Sequence, residues 1–261
     1  MKALHENLVE DRRDNIAVLR IDRTESLGAL SKTMVHALGN YFDELAHDTS
    51  VKALVITGTG RGFIAGADIG EYDGATRDAF DEYQRRARRV FETLAGLPQP
   101  TIAAVNGFAL GGGFELALCC DLILASTEAR FGLPEIRLGL LPGGGGTVRL
   151  PRVLGTRLAK ELVLTGRTMH PEEAHRHGLV TAVVEPSQLL PQTIELAERI
   201  ATAAPVAARE AKRLIDDGMA TATDAALTRE QQVLSWLFST DDAQEGIAAF
   251  QEKRKPVFHG R

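Results

Sequence analysis

Two cysteines are all the chain has in 261 residues, and they are adjacent, Cys119 and Cys120. They fall in an apolar stretch that reads as a helix, where neighbouring side chains diverge. No disulfide between them is expected, and both read as reduced core residues, since a free thiol behaves as a small hydrophobe. Positive charge is also short: 30 Lys and Arg stand against 35 Asp and Glu, a net charge of −5. That balance argues against a nucleic-acid binder working by bulk electrostatics. An anionic ligand must then be held by a local basic patch or by backbone donors. No apolar run approaches the ~20 residues of a membrane span. The first fourteen residues mix Lys2, Arg12 and Arg13 with Glu6, Glu10 and Asp11, unlike a signal or transit peptide. The closing His259-Gly260-Arg261 is no peroxisomal address. A cytoplasmic protein without membrane contact is the expectation.

Several chemistries lack their motifs. There is no G-x-S-x-G, H-E-x-x-H, C-x-x-C or EF-hand loop. The glycine-rich stretch Gly58 to Asp68 lacks G-x-G-x-x-G, and the run Gly143 to Gly146 is not followed by Lys-Ser or Lys-Thr. Rossmann and Walker readings both fail. His170, His175 and His177 cluster on a charged helix, and no metal site is expected there.

What is present is an ordinary globular composition, 44% hydrophobic and 25% charged, ample for a sizeable core. Asn15 to Ile21 predicts a first strand. Ser31 caps a helix to about His47, with Met34, Val35, Leu38, Phe42 and Leu45 at helical spacing. Val51 to Thr57 predicts a buried strand, completing a βαβ unit. The charged stretch 71–89 reads as a loop and then an exposed helix ending near Gly96. Strands follow at Thr101 to Val105, Leu122 to Ala125 and Leu179 to Glu185, with helices at Leu158 to Leu164 and from Pro171. Beyond Ser187 the pattern is helical, in segments near 187–203, 205–217, 221–239 and 241–254. The organisation is an α/β core over 1–195 and a helical region over 196–261. Trp236, Leu237, Phe238 and Phe250 are too apolar for a free surface and must pack on the core or on another subunit.

The centre of the chain is Asn106 to Asp121. A buried strand runs into Gly111-Gly112-Gly113 and then into a helix carrying Glu115. A glycine corner there leaves backbone N–H groups open at the positive end of a helix dipole. The loop around Ala67 offers a second such set. Two amides converging on one oxygen form an oxyanion hole; the competing reading is that the glycines only permit tight turns. Glu115 and Glu135 both stand in apolar surroundings, which raises proton affinity and suits them to shared acid–base work. Arg137 is a candidate partner for Glu135.

Gly66-Ala67-Asp68-Ile69, Gly111 to Ala117, Phe131 to Glu135, Gly139 to Gly143 and the closing Glu245 to Pro256 together resemble the motifs of the enoyl-CoA hydratase/isomerase, or crotonase, superfamily, along nearly the whole chain. The resemblance implies a spiral of ββα units and a C-terminal helical region that builds homotrimers or hexamers and completes the CoA site. It implies an acyl-CoA thioester substrate, with coenzyme A part of that substrate and neither a separate cofactor nor a metal. By similarity, the amides of Ala67 and Gly112 polarise the thioester carbonyl, and Gly143 helps orient the water. Ser26, Leu27, Ala65, Ala67, Asp68 and Ile69 line the CoA, with Phe250 and Lys253 near its nucleotide end. Both glutamates are kept, which implies reversible syn hydration of a 2-enoyl-CoA, Glu115 taking the proton of water and Glu135 supplying one to Cα. A carnitinyl-CoA-type dehydratase, an enoyl-CoA isomerase and a non-catalytic RNA-associated scaffold are the alternatives. Thr24 and Gly28 depart from the family's usual Pro and Asn, and Ile64 stands where smaller residues are common.

Overall fold

The computed structural model describes residues 1–261. The charged N-terminus opens with two strands that the sequence pattern conceals, β1 (Lys2–His5) and β2 (Leu8–Arg13), which run antiparallel and join β3 (Ile16–Ile21). Strand β2 is concealed because one of its buried residues is an acid. Glu10 accepts from Arg12 Nε at 2.6 Å and from the Tyr41 hydroxyl at 3.0 Å, so the charge is compensated inside. Helix α1 (Lys32–Leu45) begins where predicted: Ser31 Oγ accepts the Met34 N–H at 3.2 Å.

Three similar units then follow. The first is β4 (Ala53–Gly58), β5 (Gly62–Ile64) and α2 (Arg77–Ala95). The second is β6 (Thr101–Val105), β7 (Phe108–Leu110) and α3 (Gly112–Ala117). The third is β8 (Leu122–Ser126), β9 (Arg130–Gly132) and α4 (Gly146–Thr165), the helix broken at Gly155. The chain continues through β10 (Thr168–Met169), α5 (Pro171–Arg176) and β11 (Ala182–Val184). The first strand of each unit enters a seven-stranded sheet ordered β1-β2-β3-β4-β6-β8-β11, and the second enters a four-stranded sheet ordered β10-β9-β7-β5. Within each sheet these successive strands pair in parallel, so the chain climbs as a spiral of ββα turns.

The central strands of the large sheet are buried on both faces, as their near-continuous apolar sequences require. Leu54, Ile56, Ala103, Val105 and Ile123 face the main core with α1, α2 and the small sheet. Their alternates Ala53, Val55, Ile102, Ala104 and Leu124 meet Leu189 and Ala197 of α6 (Pro186–Ala201). A division between residues 195 and 196 falls inside this helix. Helix α2 is less exposed than its charge suggests. Its Tyr83, Ala87, Val90, Phe91 and Leu94 form a buried stripe, and its many arginines occupy the opposite side.

The last helices, α7 (Pro205–Gly218), α8 (Thr223–Phe238) and α9 (Asp241–Glu252), are those expected from the pattern. Lys212 of α7 pins this region to the core through Asp121 at 3.0 Å. Trp236, Phe238 and Phe250 remain 49%, 63% and 86% exposed, so none of them packs on the core. No helix is long and apolar enough to cross a membrane.

Candidate active site

Three adjacent parallel strands of the small sheet end in the residues of interest. Ala67 lies three residues beyond β5, Gly112 two beyond β7, and Glu135 three beyond β9. Neighbouring strands lie ~4.8 Å apart, so their exits stand in a row, and ligand sites in parallel sheets lie outside such carboxyl ends. A β-carbon built on Gly112 would come 4.0 Å from the Ala67 nitrogen, which places the two predicted amides side by side. Leu30 N–H donates to the Gly66 carbonyl at 2.8 Å and Asp68 N–H to the Leu30 carbonyl at 2.9 Å. The bridge thereby braces the backbone on both sides of Ala67 without using its N–H. Gly112 is the first residue of α3, where N–H groups have no partner within the helix.

Glu115 is 3% exposed. Its Oε1 accepts the N–H groups of Gly144 and Gly146, each at 2.8 Å. Gly146 opens α4, so the carboxylate occupies the anion position at that helix's N-terminus. The glycine run that lacks a phosphate-loop lysine does hold an anion, and that anion is the chain's own Glu115. Burial raises the Glu115 pKa, and the bonds from Gly146 and Gly144 oppose the shift. A side chain at Gly144 is excluded: its β-carbon would fall 2.6 Å from the Phe91 ring and 2.8 Å from Glu115 Oε2.

Glu135 sits in the turn Pro134–Leu138 and is held differently. Its Oε2 is buried without any hydrogen-bond partner. Burial first, and then repulsion from Glu115, push its pKa up to about 7. Arg137 is not its partner. Glu135 Oε2 has no donor, and Arg137 Nε lies instead against Gly166, 3.2 Å from where its β-carbon would stand. The site therefore joins one braced carboxylate and one unbraced carboxyl of high proton affinity, beside two open amides. That set can move a proton next to a carbonyl while stabilising the resulting oxyanion.

A sequence model of the enoyl-CoA hydratase/isomerase family matches residues 11–261. The chain belongs to the enoyl-CoA hydratase/isomerase family. It is 40% identical over 255 residues to the crotonyl-CoA hydratase of Syntrophomonas wolfei, covering 97% of this chain and 98% of that protein. It is 39% identical over 254 residues to the 2,3-dehydroadipyl-CoA hydratase of Escherichia coli, covering 97% and 99%. The crystal structure of enoyl-CoA hydratase from Bacillus anthracis superposes with a TM-score of 0.95 at 37% identity, over 98% of this chain and all of that one.

Within this hydratase/isomerase fold the remaining predicted residues fall into two groups. Ser26 and Leu27 lie in the loop after β3, which is laced to the Ala67 loop: Ala65 N–H donates to the Leu27 carbonyl at 3.0 Å. Gly28 is demanded there, with φ +77° and a β-carbon that would meet the Phe63 carbonyl at 2.6 Å. The Asp68 carboxylate is already engaged, by Arg23 Nη2 at 2.8 Å and Gly70 N–H at 3.2 Å. Ile69 is half exposed beside it. Phe250 and Lys253 form the second group, on α9 and at its C-terminal end, apart from the residues that pack around Glu115 and Glu135. Gly143 stands next to the loop donors but faces Gln84, and the bonds to Glu115 come from Gly144 and Gly146. Those two donors, Arg23 and Gln84 escaped the sequence reading. The one available signal was the glycine run ahead of a helix, which calls for an anion without saying where it comes from. No group of three or more His, Cys, Asp or Glu side chains is gathered for a metal.

Proposed function

We propose that the protein adds water reversibly across the double bond of a 2-enoyl-CoA thioester to give a 3-hydroxyacyl-CoA. The observation that carries this reading is the contrast between the two carboxyl groups beside the paired amides. Glu115, braced by two backbone donors, takes a proton from water as the oxygen bonds to Cβ. The electron pair of the double bond moves onto the thioester oxygen, where the Ala67 and Gly112 N–H groups hold the charge. Glu135, protonated near neutral pH, then delivers its proton to Cα. The two acids belong to one site, so water and proton add from the same side. Their titration belongs to the pair rather than to either residue. Gly143 orients the water in this scheme, and coenzyme A belongs to the substrate rather than serving as a separate cofactor.

Ser26, Leu27, Ala65, Ala67, Asp68 and Ile69 line the CoA, mostly through backbone. Asp68 acts there by holding Arg23 and hence the loop. The exposed apolar faces of α8 and α9 support self-association, and we read it as a homotrimer or homohexamer in which Phe250 and Lys253 reach the nucleotide end of a ligand. The family's description also covers double-bond isomerisation, for which a single acid–base group suffices. The pair of carboxyl groups favours hydration, and product analysis with a 3-enoyl-CoA separates the two. Relatives of nearly equal identity bear the names of hydratases for different acyl groups, so identity does not select the acyl chain.

Hydration of crotonyl-CoA, followed by loss of the enoyl-thioester absorbance, tests the reading. Glu115→Gln and Glu135→Gln should each lower kcat by ~10²–10⁴-fold, the usual range for a positioned acid or base. Full activity in both variants would refute it.

A further inference from the structure

In the proposed scheme Glu115 works at Cβ, so the acyl tail leaves the reacting carbons past it, and the groups beyond that carboxylate are not all apolar. Phe91 packs beneath Gly144. Gln84 lies two turns before Phe91 on the same side of α2, and its Oε1 would come 2.7 Å from a β-carbon on Gly143. The amide thus stands one residue along from the N–H that grips Glu115. Gln84 Nε2 donates to the Tyr72 hydroxyl at 3.3 Å. The Tyr72 ring is fixed by edge contacts with Phe80 and Tyr83, at centroid distances of 5.2 and 5.6 Å.

This pair has unused hydrogen-bonding capacity. Tyr72 is engaged by Gln84 and also by the Tyr83 hydroxyl, which fixes the amide, while Gln84 Oε1 accepts from no group of the protein. An alkyl tail laid against this amide would desolvate Gln84 Oε1 without compensation, whereas a hydroxyl donates to it. The surroundings carry negative charge from Glu71, Asp68 and Glu115, whose fields act on Tyr72 or Tyr83. A carboxylate-tipped tail is disfavoured there by like-charge repulsion.

We propose that Gln84 and Tyr72 are specificity-determining residues that select 2-enoyl-CoA substrates whose acyl tail ends in a neutral hydroxyl group, over alkyl and carboxylate tails. This rests on the hydration reading above. The test compares kcat/KM for hexenoyl-CoA, its ω-hydroxy derivative and its ω-carboxy derivative. The wild type should prefer the ω-hydroxy substrate to hexenoyl-CoA by about tenfold, with the ω-carboxy substrate lowest. In Gln84→Leu that preference should fall to about unity, and Tyr72→Phe should reduce it as well. The ratio compares substrates on one enzyme preparation, so a misfolded fraction cancels. A wild-type ratio of one or less, or a ratio unchanged by Gln84→Leu, overturns the proposal while hydration stands. Hydration of none of the three by the wild type overturns the underlying reading and the selectivity with it.

Discussion

Glu135 shows how a single carboxyl acquires a role from its surroundings. It has a buried oxygen with no donor to stabilise its charge, and burial with Glu115 nearby moves its proton affinity from the ordinary 4.5 to about 7. In the proposed scheme Glu135 donates the proton to Cα and must be protonated, so kcat/KM for hydration should decline as pH rises through about 7. A pH–rate profile on crotonyl-CoA checks this. Stability carries the same signature. The folded chain holds this proton more tightly than the unfolded chain, so folding stability falls as pH rises from about 4.5 to about 7 and stays lower above it. Glu135→Gln removes the penalty. Because the group is half-buried, we expect only ~1 kcal/mol, or ~2–4 °C in Tm, gained by the variant at pH 8 and absent at pH 4.

At the scale of elements, the site depends on where short pieces end. Strands β3, β4, β6 and β8 are legible in the sequence because each is a run of apolar residues buried on both faces. Strands β5, β7 and β9 are three residues each, with glycine inside or next to them, and no local signal marks them. They exist because they pair with one another, yet their ends deliver Ala67, Gly112 and Glu135. The loop Gly143–Gly146 is equally dependent on its neighbours. Gly144→Ala should push against both Phe91 and Glu115 and displace the carboxylate. We expect kcat to fall by ~10²-fold and stability by ~1–3 kcal/mol, read by steady-state kinetics and thermal unfolding.

At the scale of the whole molecule, the α/β spiral has a satisfied core, and the C-terminal helices do not. Ile215, Met219, Leu234, Phe238 and Phe250 are each more than half exposed in a single chain. A surface of that kind marks an interface. With a chain of 28.2 kDa, a trimer should sediment at ~85 kDa and a hexamer at ~170 kDa. Phe238→Glu, at a position 63% exposed, should leave the monomer's fold intact and shift the protein to smaller species in analytical ultracentrifugation. An unchanged mass would show that this face is not the interface.

The sequence by itself determined the α/β class and the capped start of α1, and it singled out both acids, because those depend on local periodicity, capping and residue type. Helix α4 is legible only from Leu158, since the glycines at its true start, Gly146, carry no helical pattern. The fate of each acid was decided only by the tertiary structure. Glu115 is braced because Gly144 and Gly146, some thirty positions away, turn their N–H groups onto it. Glu135 Oε2 has no donor, and Arg137, two residues on, lies against Gly166 instead. Hydrogen bonds between distant segments and burial in a folded core leave no trace in a linear pattern, and together they set the proton affinity of each carboxyl.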